Sequence, residues 1–367
     1  MAASSVTPQG TSRTAAKDRS LGLALGSSDN ALNFLRLVFA LLVIVSHTPA
    51  ISGAVWPAWT ASLGGWSVSG FFIISGYLIT GSRMRSSWWS YVVRRAARIY
   101  PAYWVQLLIV AFILAPIATL LGPSTWSPAS AAEYVARNVT TFALQFSMEG
   151  MVFPHYDAWN GSAWTLMYEI LAYAGCLVLF SIPWCRRHAT LMAAMALIGF
   201  TSVTALAGPL DITTNLYLNI AHLGSFFAAG MLIFTLREKL PITGPLILGS
   251  AVLTAVLFVV PEGYRYAAVP YGYLVLAAGA TIRTRVGATN DVSYGVYIYA
   301  FPVQQLWAML GLTGLAHLLA STVVTVILAW ASWKVVEAPM NAAGRRLISV
   351  VRGEGPRAFS RPPRSKP

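Results

Sequence analysis

Three ionisable side chains lie in stretches that are otherwise apolar: Arg36, His47 and Glu169. Charge in such surroundings is expensive, so each is a candidate for function. Arg36 and His47 are eleven residues apart. On an α-helix that is three turns plus about 20°, so both project from one face, about 16 Å apart along the axis. Glu169 closes the segment Trp164-Thr165-Leu166-Met167-Tyr168-Glu169. A buried carboxylate there needs a partner, and His47 and Arg36 are the obvious suppliers. A histidine paired with a carboxylate is the combination of a general base and its orienting group. The plainer reading stands beside it. Arg36 would reach to an interface, His47 would be a satisfied interfacial histidine, and Glu169 would join two helices structurally.

A second cluster reads Arg94-Arg95-Ala96-Ala97-Arg98-Ile99-Tyr100-Pro101. Arg95 and Arg98 are at i and i+3, so they share a helix face. Two guanidinium groups on one face match phosphate oxygens through planar bidentate contacts. The alternative is topology signalling with contact to lipid headgroups. The remaining histidines, His155, His188, His222 and His317, show no metal-ligand spacing, and no HExxH, CxxC or P-loop pattern occurs. No metal is expected. Cys176 and Cys185, nine residues apart near one helix, cannot bridge and are read as apolar filler.

These residues need a frame. Of 367 residues, 56% are hydrophobic and 10% charged, against about 25% charged in soluble domains. The apolar residues fall in runs of roughly 17 to 22, the length of a membrane-crossing helix. A soluble enzyme, a disordered chain and a disulfide scaffold are excluded. The runs are continuous, not alternating, which disfavours a β-barrel. The fold class is all-α and polytopic, with ten spans expected near 31–48, 63–82, 99–121, 162–183, 189–207, 216–236, 244–260, 266–282, 291–310 and 315–334.

The net charge of +13 would suggest nucleic acid in a soluble protein. Here the basic residues separate the apolar runs, so no nucleic-acid partner is expected. With both termini cytoplasmic, alternate connections hold Arg83, Arg85, Arg94, Arg95 and Arg98, then Arg186 and Arg187, Arg237 and Lys239, and Arg283 and Arg285. The opposite connections hold only Arg137 and Arg265, as the positive-inside rule requires of an even count. Residues 1–30 read as a disordered cytoplasmic tail, 31–340 as the membrane domain and 341–367 as a basic cytoplasmic tail. The one long outer connection, 122–161, is a candidate lid or acceptor platform, with an amphipathic stretch at 131–147. Gly70, Ser75 and Gly76 predict tight packing of the second helix on the first.

In this order the pieces resemble acyltransferase family 3, membrane proteins that include O-antigen, exopolysaccharide and nodulation-factor O-acetyltransferases. The resemblance rests on Arg36 with ten residues before His47, the segment FFIISGYLI at 71–79, and Arg94 to Pro101. It continues through Trp164 with Glu169, then Ser293-Tyr294-Gly295-Val296-Tyr297-Ile298-Tyr299 with Phe301-Pro302, then Glu337-Ala338-Pro339. Many relatives carry histidine where this chain has Ala300, and a polar group where it has Ser69-Gly70. The resemblance implies acyl transfer from cytoplasmic acyl-CoA, acetyl-CoA first, to a hydroxyl of an extracytoplasmic or lipid-linked glycan.

In that scheme His47 is catalytic, with Arg36 as its companion and Glu169 in the same core. Arg95 and Arg98, with Arg94, hold the donor, and Trp164 and Tyr168 face the acceptor. Acyl-CoA is a substrate and no tightly bound cofactor is expected. Membrane lipids are partners and a homodimer is open. The expected location is a bacterial plasma (inner) membrane, crossed many times. Two other classes remain: a lipid-linked sugar transporter or flippase without acyl transfer, and a non-catalytic envelope scaffold.

Overall fold

Every run expected to cross a bilayer is helical in the computed structural model, which describes residues 20–27, 30–142 and 145–353. The parts of the two expected tails at 1–19, 28–29 and 354–367 lie outside the described residues. In chain order the helices are α1 (Leu21–Gly26), α2 (Leu32–Ser52), α3 (Trp59–Met84) and α4 (Trp88–Ile109). A π-helical turn, Val110–Leu114, and a short helix, Ala115–Leu121, prolong α4. Then follow α5 (Pro128–Asn138), α6 (Trp164–Leu179), α7 (Ala189–Leu206), α8 (Asn215–Leu236), α9 (Gly244–Val259) and α10 (Ala268–Thr281). The last are α11 (Ser293–Met309), α12 (Gly314–Ser332) and α13 (Ala338–Val351). No strand occurs among the described residues.

The protein is a multi-pass membrane protein. Among the described residues, six helices are long and apolar enough to cross: α2, α3, α4 with its extension, α7, α8 and α12 continued through α13. The expected ten is therefore larger than the set that qualifies by length. The other four have 16, 16, 14 and 17 residues, so a 16-residue helix spans about 24 Å of a roughly 30 Å hydrocarbon layer. Two have a visible reason to stop. Pro183 follows α6 within four residues and Pro261 follows α9 within two, and the chain before proline avoids helix.

The chain forms two compact units. The first comprises the chain through His47, Trp56–Met84 and Trp164–Ser293; the second comprises Thr48–Val55, Arg85–Ala163 and the chain from Tyr294. In the first unit the predicted close approach is present but divided between two neighbours. A Cβ on Gly70 would overlap the ring of Phe39 on α2, as expected. A Cβ on Gly76 would overlap the backbone carbonyl of Phe227 on α8, and one on Gly230 would overlap that of Ile73. Glycine at both positions lets α3 and α8 touch backbone to backbone.

Two arginines expected only as topology signals also cap helices in this unit. Arg83, 5% exposed, donates to Ser181 Oγ at 2.8 Å and to the Leu177 carbonyl at 3.5 Å, at the end of α6. Arg186 reaches back to the Met84 carbonyl at the end of α3. Cations there satisfy terminal carbonyls and the helix dipole.

The expected disordered tail is ordered in part. Ser20 caps α1 by accepting from the Leu23 N–H, and Leu21 is fully buried. Leu21 and Gly22 donate backbone hydrogen bonds to the Leu240 and Arg237 carbonyls at 3.0 and 2.9 Å. The apolar face of Leu21 and Leu25 explains why this piece docks.

In the second unit, the expected solvated tail begins with a helix. α13 lies on α4, with a Gly344 Cβ position 3.0 Å from the Ala97 Cβ. The described residues of the long connection are packed as well. Ser127 accepts from the Ser130 N–H, and Pro128 occupies the first turn of α5. α5 buries Ala131, Tyr134 and Asn138. The π turn in α4 leaves the Ala111 carbonyl to accept from Trp126 Nε1 at 2.9 Å.

Candidate functional site

Arg36, His47, Trp164, Tyr168 and Glu169 all belong to the first unit. Arg36 and His47 share α2, as their spacing predicts. Arg36 Nη1 is 2.7 Å from Asp291 Oδ2, with the two side chains 15% and 9% exposed. Its guanidinium lies 6.0 Å from the centre of the Phe71 ring. Asp291 is held from the other side. Its Oδ1 accepts from the Ser293 hydroxyl at 2.5 Å and from the Ser293 N–H at 3.3 Å. A carboxylate at the N-terminal end of α11 is favoured by the helix dipole and its unpaired N–H groups.

The ion-pair partner of Arg36 is thus Asp291, not Glu169 as the sequence suggests. Sequence reasoning missed Asp291, which lies at the edge of a span diluted by tyrosine and glycine. The usable signal was its rarity: the chain has 12 acidic residues in all, and a cation inside a span requires one of them.

His47 is half-buried on the last turns of α2. Its imidazole hydrogen-bonds to the Val43 carbonyl one turn earlier. In a neutral ring that bond takes the N–H, and the second nitrogen carries the lone pair that a base needs. Glu169 is half-buried on α6. Its Oε1 accepts from the Tyr173 hydroxyl, one turn on. Tyr168 is buried, accepts from Asn219 Nδ2 at 3.3 Å, and meets Trp164 edge to face with centroids 5.5 Å apart. His222, expected to pack rather than react, stands 5.1 Å from the Phe226 ring, with Nε2 3.5 Å from Ser69 Oγ.

Arg94, Arg95 and Arg98 belong to the second unit, all half-buried on the first half of α4. The helix from Trp88 confirms that Arg95 and Arg98 share a face. α13 adds to this region: Arg352, just after it, donates to Ser90 Oγ at 3.2 Å and lies near Arg94. The basic residues Arg94, Arg95, Arg98 and Arg352 are therefore carried by two helices, α4 and the C-terminal end of α13, the second of which falls in the expected tail.

The connection 122–161 is fastened within the same unit. Gln106 Nε2 donates to Asn160 Oδ1 at 2.6 Å, and Asn160 Nδ2 donates to the Tyr134 hydroxyl. Burial, and next the neighbouring Tyr103, push the Tyr134 phenol well above its usual range, so it stays protonated. Gln305 Nε2 donates to the Tyr156 and Ala158 carbonyls at 2.6 and 2.7 Å, and Trp104 Nε1 to the Val139 carbonyl at 2.9 Å. These bonds satisfy buried polar groups of the described residues of this segment.

Comparison with known proteins agrees with the motif reading. A family model described as an acyltransferase domain matches residues 29–334. The chain is 28% identical over 326 residues to an O-acetyl transferase of Shigella phage Sf6, covering 84% of this chain and 95% of the relative. It is 28% identical over 309 residues to nodulation protein 10 of Rhizobium leguminosarum bv. viciae, covering 76% and 83%. No solved structure matches.

Proposed function

The chain belongs to acyltransferase family 3, and from that premise we propose that it O-acetylates a glycan, taking the acetyl group from acetyl-CoA on the cytoplasmic side of a bacterial plasma membrane. That it is an acyltransferase follows from the family and its relatives. Donor, acceptor, sidedness and residue roles are the proposal. It includes ten crossings with both termini inside, the shorter helices completing the six long ones.

The observation that carries it is His47. Its ring is fixed by the Val43 carbonyl on the same helix as the one cation whose buried partner is Asp291. His47 acts as general base on the acceptor hydroxyl. The hydroxyl oxygen bonds to the thioester carbon, the carbon–sulfur bond breaks, and the imidazolium returns its proton to the leaving CoA sulfur. Arg36, held by Asp291, supplies positive charge to the thioester oxygen as it becomes negative. Glu169, with Tyr173, orients the acceptor side together with Trp164 and Tyr168. Arg95 and Arg98, with Arg94, bind the CoA phosphates. Acetyl is the first choice of acyl group because the phage relative is named an O-acetyl transferase.

The test is donor binding followed by transfer. Purified protein titrated with acetyl-CoA is expected to bind saturably, with binding lost in Arg95→Ala and kept in His47→Ala. Label from acetyl-CoA should reach a glycan acceptor with wild type and not with His47→Ala. Absence of binding to any short acyl-CoA would overturn the reading in favour of a sugar transporter, which needs no donor.

A further inference from the structure

The first unit contains a cavity of about 390 Å³ between α6, α7, α8 and α3. Phe72, Leu171, Ala196, Phe200, Leu223 and Phe227 are among its walls, and its surface is almost wholly apolar. Leu171 and Gly175, on its α6 wall, are exposed, so the cavity opens sideways between consecutive helices. In a membrane protein that direction is hydrocarbon. The opening exists because Ala172, Gly175 and Ala196 line it, where larger side chains would close it. A Cβ on Gly175 would meet nothing within 4 Å. Loose packing does not explain it, since α3 and α8, two of its walls, touch backbone to backbone at Gly76 and Gly230. Protein interiors leave few voids of this size unfilled.

One rim of the cavity is Tyr168, whose hydroxyl is tethered by Asn219 and whose neighbour in sequence is Glu169. From Tyr168 to Leu179 the α6 wall runs about 16 Å, half the thickness of the hydrocarbon layer. A hydrocarbon chain entering from the bilayer and lying along this wall would bring its headgroup to the turn Trp164–Glu169. We propose that the acceptor is lipid-linked, and that this cavity holds the hydrocarbon chain to which its sugar is attached. This deepens the acyl-transfer reading and rests on it for the headgroup. The cavity shares α6 with the acceptor-side residues and no helix with the donor arginines, so it is assigned to the acceptor's chain, not to the donor.

The test uses full-length protein in nanodiscs without acyl-CoA, so its result stands whatever a transfer assay shows. The probe is an alkyl glycoside with a photoactivatable diazirine in its chain. Crosslinks are expected on α6, α7 and α8, competed by unlabelled alkyl glycoside and not by the methyl glycoside of the same sugar. Gly175→Phe, which projects a ring into the space, should remove them. Ala196→Phe does the same from the opposite wall, should Gly175→Phe fold poorly. In transfer, Gly175→Phe should raise KM for the alkyl glycoside about tenfold relative to the methyl glycoside, the worth of roughly two buried methylenes. Equal labelling by a diazirine phosphatidylcholine, uncompeted by alkyl glycoside, would make the occupant a structural lipid and overturn the proposal. So would labelling elsewhere, or an unchanged KM ratio in both variants.

Discussion

The two units bury polarity differently. The first buries formal charge: Arg36 with Asp291, Arg83 at a helix end, and Glu169 against Tyr173. The second buries mostly neutral amides and hydroxyls, with the carboxylate of Glu337 as its buried acid, accepting from the Ser332 hydroxyl at 3.4 Å. Gln106, Asn160 and Tyr134 form one network. In another, Gln304 Nε2 donates to Thr48 Oγ1 at 3.2 Å while its carbonyl meets His317 Nε2 at 2.9 Å. Among the described residues of the second unit, Arg94, Arg95 and Arg98 lie on α4, and Arg345, Arg346 and Arg352 on and just after α13, while Arg137 is on α5. Buried charge sets up a field and is expensive, so it is kept for chemistry or for a pair that chemistry requires. Neutral amides fix a segment in place without a field. The proposed function accordingly assigns bond-making to the first unit, and donor binding and the platform to the second.

That contrast predicts the largest effect at His47. His47→Ala is expected to lower transfer by about 10²- to 10⁴-fold, the range for a general base, with unfolding temperature and membrane insertion unchanged. Transfer near wild type in a folded His47→Ala protein would move the chemistry out of the first unit and break the comparison.

Next comes the pair on α2 and before α11. Arg36→Leu takes the ion-pair partner away from the buried Asp291 carboxylate, and should lower stability by about 3 to 5 kcal/mol. Asp291→Leu should do the same. Replacing both should restore most of the stability, because a well-packed apolar pair removes both desolvation penalties. Thermal unfolding of the single and double variants measures this. Transfer by the double variant then separates roles. Restored stability with activity still absent assigns Arg36 to the reaction; activity that returns with stability would make the pair structural.

What the sequence revealed follows the same division. The apolar runs and the charges were legible. Helix positions follow from hydrophobic length, and Arg36, His47 and Glu169 stand out because charge is rare among them. The partner of Arg36 was not legible, since nothing in the local pattern around Asp291 marks it as facing α2. The long connection carried no sign that Asn160 would meet Gln106. A neutral amide costs little at a surface, so its presence does not reveal whether it is buried. α1 and α13 were missed for another reason: six and 14 residues beside Gly, Ser and Arg read as tail until an apolar face finds a neighbour.

The platform gives a smaller effect. Gln106→Leu removes the donor to Asn160 Oδ1 and leaves a buried carbonyl without it, at about 1 to 3 kcal/mol. Limited proteolysis should then cut within 122–161, while donor binding is unchanged. A loss as large as that of Arg36→Leu would mean that neutral networks carry as much as paired charge in this molecule, and the contrast between the units would fail.

The smallest effect is the sharpest for the second unit. Positive charge near α4 has two readings, topology and phosphate recognition, and alanine removes both at once. Arg95→Lys separates them. Lysine satisfies the positive-inside rule as arginine does, so insertion and stability should be unchanged. It cannot make the planar two-pronged contact to phosphate, so the affinity for acetyl-CoA should fall about tenfold, or about 1.4 kcal/mol. Arg98→Lys, on the same face, should match it, and the double variant should fall further. Binding of acetyl-CoA like wild type by the lysine variants and by Arg95→Ala alike would show that these arginines signal topology alone. The donor site would then have to be sought elsewhere, beginning with Arg345, Arg346 and Arg352 on and after α13.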